Sequence, residues 1–513
     1  MQVESPVFDV AIVGFGPSGA VAAGLLGAQG IRTYVCDKLH DVYDKPRAIA
    51  LDHEIIRLFQ QMGVAKKIKP YTEPFTDSVY YGVDGQVIKR MSTVAPPYPL
   101  GHTPSIVFTQ PPAERILREH ALSFPSVTVQ LGQMLKKVTQ DAQQVTLTLA
   151  GDDGVTFTVQ ARYLIACDGA SSTVRGQVGI ELEDLGFDEP WLVVDVLVNE
   201  KGLARLPTTS VQYCKPERPS TYLICPGKHR RWEISINPGE DPKQVATPDG
   251  TWKLLAPWLT PADATLWRQA SYRFHALVAS EWRRGRVFMA GDAAHQQPPF
   301  LGQGMCQGVR DVANLSWKLG AVLKAGAPER LLDSYGAERK AHVIDLTTRI
   351  KGIGKIICER DPVRARERDA KLLAECGGVV KPTPRQEVQP ALRAGLLTQQ
   401  THAARGTIFP QPWLQMPDGE RQRMDDVLGS GWRLVLDSRA DAGLQRLARA
   451  QALPGLRVVQ LGTAAFTETD GVLQRWFERH GCAAALVRPD HYVYGVASRA
   501  QELAAQLAAL AAI

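Results

Sequence analysis

The apolar positions of this chain fall in short runs that stop abruptly at glycine or aspartate. "FDVAIVGFGPSGAVAAGLL" opens with an apolar run, Val10 to Val13, breaks at Gly14-Phe15-Gly16-Pro17-Ser18-Gly19, and resumes with alanine and leucine at helical spacing. That order predicts strand, tight turn and helix. "RTYVCDK" predicts a second strand ending at Asp37. "ARYLIACDGASSTVR" repeats the form, a buried strand ending at Asp168-Gly169 before small polar residues that suit a helix start. "GRVFMAGDAAH" repeats it again, with a strand at Val287–Ala290 and then Gly291-Asp292. From about Met305, Val309, Val312, Leu315, Leu319 and Leu323 recur at helical spacing, so a helix follows.

Between residues 186 and 280 the pattern changes. "WLVVDVLVNE", "TSVQYCKP", "STYLICPG" and "RRWEISI" are short β-rich runs between Pro/Gly turns, which predicts an antiparallel sheet walling a pocket. Within 76–99, "DSVYYGVDGQVIKRM" adds a hairpin to that layer. "IKGIGKIICERDPVRARERDAKLLAEC" predicts a long helical stretch and "GGVVKPTPRQEVQP" a linker or extended strap. Beyond about residue 400, "GWRLVLDS", "LRVVQLG" and "AAALVRPDHYVYGV" alternate with the helices "AGLQRLARAQAL", "GVLQRWFERHG" and "AQELAAQLAALAA", the order of a small α/β layer.

A chain of 513 residues exceeds one hydrophobic core, so two or three domains are expected. At 44% hydrophobic and 22% charged it belongs with globular proteins. The net charge of +6 comes from scattered residues, with only a short "KHRR" cluster at 228–231. No basic helix or aromatic platform accompanies it, which argues against nucleic acid and for small anions and dinucleotides. The eight cysteines form no CxxC pair and no zinc spacing, and His53, His102 and His295 have no ligand spacing, so reduced thiols and no metal are expected. "MQVESPVFDV" lacks a leader pattern and no apolar run reaches the roughly 18 residues of a membrane span. Cytoplasmic residence and no membrane partner are the expectation.

The first turn carries the chemistry of a dinucleotide site. Gly14 makes the turn, Gly16 lets backbone approach a pyrophosphate, Gly19 lets helix pack on strand, and Asp37 stands where an acid binds a ribose hydroxyl. This motif leaves FAD and NAD undistinguished. The segment "GDAAHQQPPFLGQG", 291–304, gives up side chains to expose its backbone, as a loop does where main chain approaches a flat or charged ligand. His295 at its start suits a structural hydrogen bond rather than acid–base work.

The order GxGxxG, then Pro46-Arg47-Ala48, then Cys-Asp-Gly, then Gly-Asp with PPxxGQG resembles the single-component, FAD-dependent aromatic hydroxylases over roughly residues 8–350. "YDKPRAIALDHEIIRLF", "QYCKPERP", "HRRWE", "GQGMCQGVRDVANLSWKL" and "RPDHYVYG" look most like the 3-(3-hydroxyphenyl)propionate hydroxylases. The resemblance implies an α/β fold with a Rossmann-like FAD-binding domain (1–75, 100–185 and 280–350), an inserted antiparallel-sheet substrate domain (76–99 and 186–279), and a helical or linker strap (351–399). It also implies a thioredoxin-like C-terminal domain (400–513) without CxxC, since Cys482 stands alone. That domain would be structural, an oligomer contact of a homodimer. Gly14, Gly16 and Gly19 would cradle the FAD pyrophosphate. Asp37, with Lys38, would hold the adenosine ribose, and Arg47 and Gln110 the phosphate and ribityl region. Asp168 would serve FAD and the passing nicotinamide, and Asp292 the ribityl chain. Pro298 would stiffen the loop beside the isoalloxazine, and Gly302, Gly304 and Met305 would bring amides and a helix N-terminus to its pyrimidine edge, where negative charge collects on reduction.

Such an enzyme reduces FAD with NADH or NADPH, adds O₂ at flavin C4a, and passes OH from the hydroperoxide to a ring carbon ortho to a phenol. The protein excludes water and removes the phenol proton. Tyr213, Tyr222, Tyr272 and His275 are the candidates for the base or relay; Arg230 or Arg231 suits a carboxylate tail, with Tyr213 and Pro298 as further substrate contacts. Two other readings share these features: an aromatic polyketide or other polycyclic phenol hydroxylase, and a non-catalytic flavin-binding regulator.

Overall fold

The computed structural model describes residues 7–451, 453–463 and 466–512. The first six residues, which open the "MQVESPVFDV" segment, lie outside them. Among the described residues an eight-stranded sheet has Phe8–Val13 at its centre, pairing in parallel with Thr33–Asp37 on one side and Thr156–Ala166 on the other. Thr156–Ala166 pairs in parallel with Val287–Met289. The register sets Val13 opposite both Cys36 and Ala166, and Ala166 opposite Met289. Parallel strands in register finish at one edge. Four turns far apart in sequence, after Val13, at Asp37, after Ala166 and after Met289, therefore meet there.

The helix Pro17–Gly27 is buried on nearly every face beneath this sheet, which explains its lack of a polar side. The helix Gly304–Lys324 packs against it. Gly14 has φ +99°, and a Cβ there would run into the carbonyl of Cys167. A Cβ on Gly19 would strike the carbonyl of Gly14, so helix and turn approach only without side chains.

The second, nine-stranded sheet includes Leu182–Val198, Ser210–Tyr213, Ser220–Ile224, His229–Ser235 and Ala264–Ala279. The hairpin Ser78–Tyr81/Val87–Ser92 joins it through Ser210–Tyr213, and Pro382–Pro384 extends it beyond the hairpin. Two of its strands are longer than the sequence pattern suggests, because 182–198 and 264–279 pair along their length and absorb their irregularities as register shifts. The expected single helical stretch across 350–376 is instead two helices, Asp333–Cys358 and Pro362–Glu375. Pro362 cannot continue a helix, and the Asp361 carboxylate caps the second one by accepting from the amides of Val363 and Arg364, both at 2.9 Å.

Residues beyond 400 form a four-stranded sheet in the order Arg457–Gln460, Arg433–Leu436, Ala484–Val487, Val493–Ala497, with helices Ala442–Ala450, Val472–His480 and Ala500–Ala511. They dock through buried charge. Glu338 receives Lys318 Nζ at 2.8 Å and Arg488 Nη2 at 2.7 Å, and Tyr492 donates to Glu54 at 2.8 Å. Cys482 is buried without a disulfide partner, and burial pushes its thiol up to about 12. Among the described residues no helix is long and apolar enough to cross a membrane.

Candidate active site

A cleft of about 640 Å³ lies between the two large sheets. Its floor is built from the turns gathered at the edge of the first sheet. Gly16, Pro17 and Ser18 line it, and a Cβ built on Gly16 meets nothing within 4 Å. The helix starting at Pro17 has no side chain capping its amides, and neither has the helix starting at Gly304, whose first residues Gly304 and Met305 also line the cleft. Two uncapped helix N-termini facing one cavity leave N–H groups for an anionic ligand. Glycine where a phosphate must approach, and amides where a flavin ring would lie, fit FAD.

The supporting contacts explain the rest of the loop. Asp37 ends its strand by accepting from Phe15 N at 2.7 Å and Leu39 N at 2.8 Å, so it fastens the glycine turn. Lys38 is exposed beside it. Gln110 Oε1 accepts from the amides of Arg47 (3.0 Å) and Ala48 (2.7 Å), holding Arg47 at the cleft, where its guanidinium lies 4.8 Å over the Tyr43 ring. Asp292 opens onto the cleft, and desolvation there raises its carboxyl against the opposing pull of His295 and Arg47. Gly302 has φ +64°, and a Cβ there would come 2.7 Å from that of Ala50, so the loop seats directly on the 46–50 segment. Pro299 lines the cleft, whereas Pro298 is buried behind it.

Several expected residues stand elsewhere. Side chains alternate across a strand, and Gln212, Thr221, Leu223, Arg231 and Glu233 take the cleft face. Tyr213 and Tyr222 consequently point through the sheet to its far side: Tyr213 accepts from Trp258 Nε1 at 3.3 Å and Tyr222 donates to the Pro207 carbonyl at 3.2 Å. Neither reaches the cavity, which corrects their assignment as base or substrate contact. Arg231 does face the cleft but is spent on structure. Its Nε and Nη2 donate to Asp195 at 2.7 and 2.9 Å, and its remaining bonds go to the carbonyls of Arg47 and Pro46, at 2.7 and 3.1 Å. Arg230 donates to backbone carbonyls of its own turn. Asp168 is turned inward as a turn-builder, accepting from Ser172 Oγ at 2.5 Å and Val174 N at 3.0 Å. His275 lines the cleft with its Nδ1 3.4 Å from Asp188, and Tyr272 lines it 42% exposed.

The sequence reading missed three supports. Asp311, on the Gly304–Lys324 helix, accepts from Gly291 N (2.9 Å), His295 Nε2 (2.8 Å) and Arg339 Nε (2.8 Å), all buried. Burial alone would raise this carboxyl, but His295 and Arg339 hold it low. His295 thus makes the structural bond read for it. Arg385, in the strap, lies 4.0 Å over the Phe75 ring and donates to Ser78 Oγ, with its Nε buried and unbonded. No carboxylate among the described residues pairs with it. Glu233 is the third.

A two-sheet protein with a cleft between the sheets, where isoalloxazine would meet a wall bearing Phe75, Tyr272, Phe274 and Phe300, is the architecture of a flavin-dependent hydroxylase. The FAD binding domain family matches residues 7–350, and the HcaD C-terminal domain matches 406–512. The chain belongs to the FAD-dependent aromatic hydroxylases, and it is a flavin monooxygenase. It is 38% identical to a probable NADH-specific resorcinol 4-hydroxylase of Rhodococcus jostii (strain RHA1), over 97% of this chain and 93% of that one. It is 32% identical to a 3-(3-hydroxy-phenyl)propionate/3-hydroxycinnamic acid hydroxylase of Burkholderia cenocepacia (strain HI2424), over 94% and 93%. Among solved structures, aklavinone-11 hydroxylase in complex with FAD and aklavinone shares 25% identity at a TM-score of 0.80, covering 98% of this chain and 99% of that one.

Proposed function

We propose that this enzyme hydroxylates a small phenolic aromatic acid of the 3-(3-hydroxyphenyl)propionate kind ortho to its hydroxyl, with NADH or NADPH as electron donor. When bound, FAD supplies the reduction and oxygen activation. Gly14, Gly16, Gly19 and Asp37 form its phosphate and ribose cradle; Arg47, Gln110, Asp292, Gly302, Gly304 and Met305 serve its ribityl and ring end. The sheet wall with Phe274 and Phe300 excludes water.

The observation that carries the reading is the guanidinium of Arg385 in the cleft wall, whose Nε is buried and unbonded and which has no carboxylate partner among the described residues. Desolvation disfavours its charge, and a ligand carboxylate offers the partner the protein withholds. The relative named for the phenylpropionate agrees. The relative named for resorcinol supports a second reading, a neutral monocyclic diphenol. The experiment is NADH consumption by FAD-loaded enzyme with 3-(3-hydroxyphenyl)propionate, resorcinol or a polycyclic phenol, following product and H₂O₂ together. Coupled turnover with the first supports the proposal, coupled turnover with resorcinol alone replaces the acid by the diphenol, and coupling only with a polycyclic phenol overturns both.

For the domains we propose the boundaries given by the resemblance, with the second sheet reaching back to Leu182 and taking Pro382–Pro384 from the strap. For residues 400–513 a thioredoxin-like reading is supported by the sheet order, in which Arg433–Leu436 is central and pairs in parallel with the edge strand Arg457–Gln460 and antiparallel with Ala484–Val487, which in turn pairs antiparallel with Val493–Ala497. With no second cysteine beside Cys482, its part is docking.

A further inference from the structure

The hydroxylation needs a base for the phenol proton; Tyr213 and Tyr222 do not reach the cleft, and Tyr272, which lines it, is exposed and already accepts from Arg268. Glu233 does. It sits in His229–Ser235 two residues from Arg231, on the same face, with Thr221 and Val193 as its cross-strand partners. Its side chain is 4% exposed, and among the described residues no group donates a hydrogen bond or forms an ion pair with it. Beside it, Thr221 donates to Gln212 at 2.5 Å rather than to the carboxyl. A buried carboxyl without a partner is costly unless something in the cavity supplies one.

We infer that Glu233 is the catalytic base that takes the phenol proton of the aromatic substrate. The inference rests on the hydroxylase reading above. In the step, the phenol O–H bond breaks, its electron pair stays on oxygen as phenolate, and the proton moves to a Glu233 carboxylate oxygen. After OH has been added to the ring, the C–H bond at the hydroxylated carbon breaks, its electron pair restoring the aromatic ring and its proton going to the oxygen that leaves as water, while the carboxylic acid returns its own proton to the phenolic oxygen, so the residue ends as it began.

The charged neighbourhood suits this exchange. Arg231 on its own strand would stabilise a carboxylate, but Asp195 on the next strand neutralises that guanidinium and itself repels Glu233. His229 bonds to the same Asp195 at 2.8 Å, and Arg268 on 264–279 lies 3.6 Å from it. Elsewhere in the cleft wall stand Arg385 and His275. Burial raises Glu233 above the usual carboxylate range, Arg231 opposes and Asp195 adds, leaving it at about 7, where a carboxylate accepts a proton and gives it back near neutral pH. His275 is the poorer choice, because it is only half-buried and already faces Asp188.

The test uses FAD-loaded wild type, Glu233→Gln and Glu233→Asp with 3-(3-hydroxyphenyl)propionate and resorcinol as probes. Two things are read: the ultraviolet phenolate band of the bound probe against pH, and the pH profile of coupled hydroxylation. Glu233→Gln is expected to move the phenolate midpoint up and to slow hydroxylation at neutral pH by about 10²-fold, recovering as the pH approaches the phenol's own ionisation. Glu233→Asp should fall between. A Glu233→Gln enzyme with a full flavin spectrum and wild-type midpoint and profile overturns the inference. If Glu233→Gln does not hold FAD, an unchanged midpoint in Glu233→Asp overturns it equally. No phenol-stimulated NADH oxidation in the wild type sinks the functional reading instead, a result distinct from the others.

Discussion

Arg57 and Asp425, 368 positions apart, lie buried side by side: Nε donates to Oδ2 at 2.6 Å and Nη2 to Oδ1 at 3.0 Å, while Nη1 reaches the carbonyl of Phe409 at 2.5 Å. Burial alone would raise Asp425, but Arg57, His491 and Arg433 together hold it far below the usual range. Removing one member of a buried charged pair costs about 3–5 kcal/mol where the other is left uncompensated, and less here, because Arg433 still donates to Asp425 at 2.7 Å. Arg57→Met is therefore expected to loosen the region beyond residue 400 from the flavin layer. Limited proteolysis and a urea melt check it; unchanged protection would show that the pair does not govern docking.

Asp311→Asn removes the charge that ties Gly291, His295 and Arg339 together. A loss of about 3–5 kcal/mol in denaturant stability is expected. FAD affinity should fall with it, because the Gly291-Asp292 turn loses its anchor. Flavin fluorescence titration reads the second effect separately.

Two glycines of one motif are expected to fail differently. Gly14→Ala meets both a positive φ and the Cys167 carbonyl, so folded yield should drop. Gly16→Ala has open space inside the protein and should fold with a normal melt yet bind FAD more weakly. Equal loss of fold in both would contradict the placement of Gly16 at the ligand surface.

Tyr213→Phe and Tyr222→Phe remove hydroxyls on the far side of the sheet. Each should cost about 0.5–1.5 kcal/mol of stability and leave the pH profile of turnover unmoved. A shifted profile in either would return that tyrosine to the proton path.

Acid sensitivity follows from Glu338. Burial would raise its carboxyl, but Arg488 and Lys318 bring it down to about 2. A carboxyl depressed in the folded state contributes stability that is full above its unfolded value, near 4.5, and is lost as pH falls through about 2. Denaturation midpoints should hold from pH 7 to 5 and then decline, and Glu338→Gln should flatten that decline while lowering stability at pH 7.

Much of the flavin side was legible because its signals are local: a strand's end, a glycine, a turn and a helix lie within a few residues of each other. That four such turns meet depends on strand order, but each strand shows its own C-terminal end in the sequence. The substrate wall was less legible. Which face of 210–213, 220–224 and 229–235 looks inward depends on pairing register, and a shift of one residue exchanges Tyr222 for Thr221 or Leu223. Aromatic side chains invited the wrong choice, since Tyr222 packs on Trp232 in the opposite core. "HRRWE" held the signal for Glu233, two residues beyond an arginine on the same face. Arg385 had no local signal at all, lying in a strap that reaches the cleft only through tertiary packing.

Arg231 divides its donors between Asp195 in the sheet and the carbonyls of Pro46 and Arg47 beneath the flavin loop, while Gly302 rests on Ala50 a few residues on. Redesign of the pocket for a different aromatic compound thus has unequal freedom along one wall. Gln212 and Thr221, which bond to each other, can be exchanged for size and polarity without touching the cofactor's seat, whereas Leu223 packs on Ile49 and Ala50 beneath it. Any library that varies Arg231 will also select, unintentionally, for flavin retention.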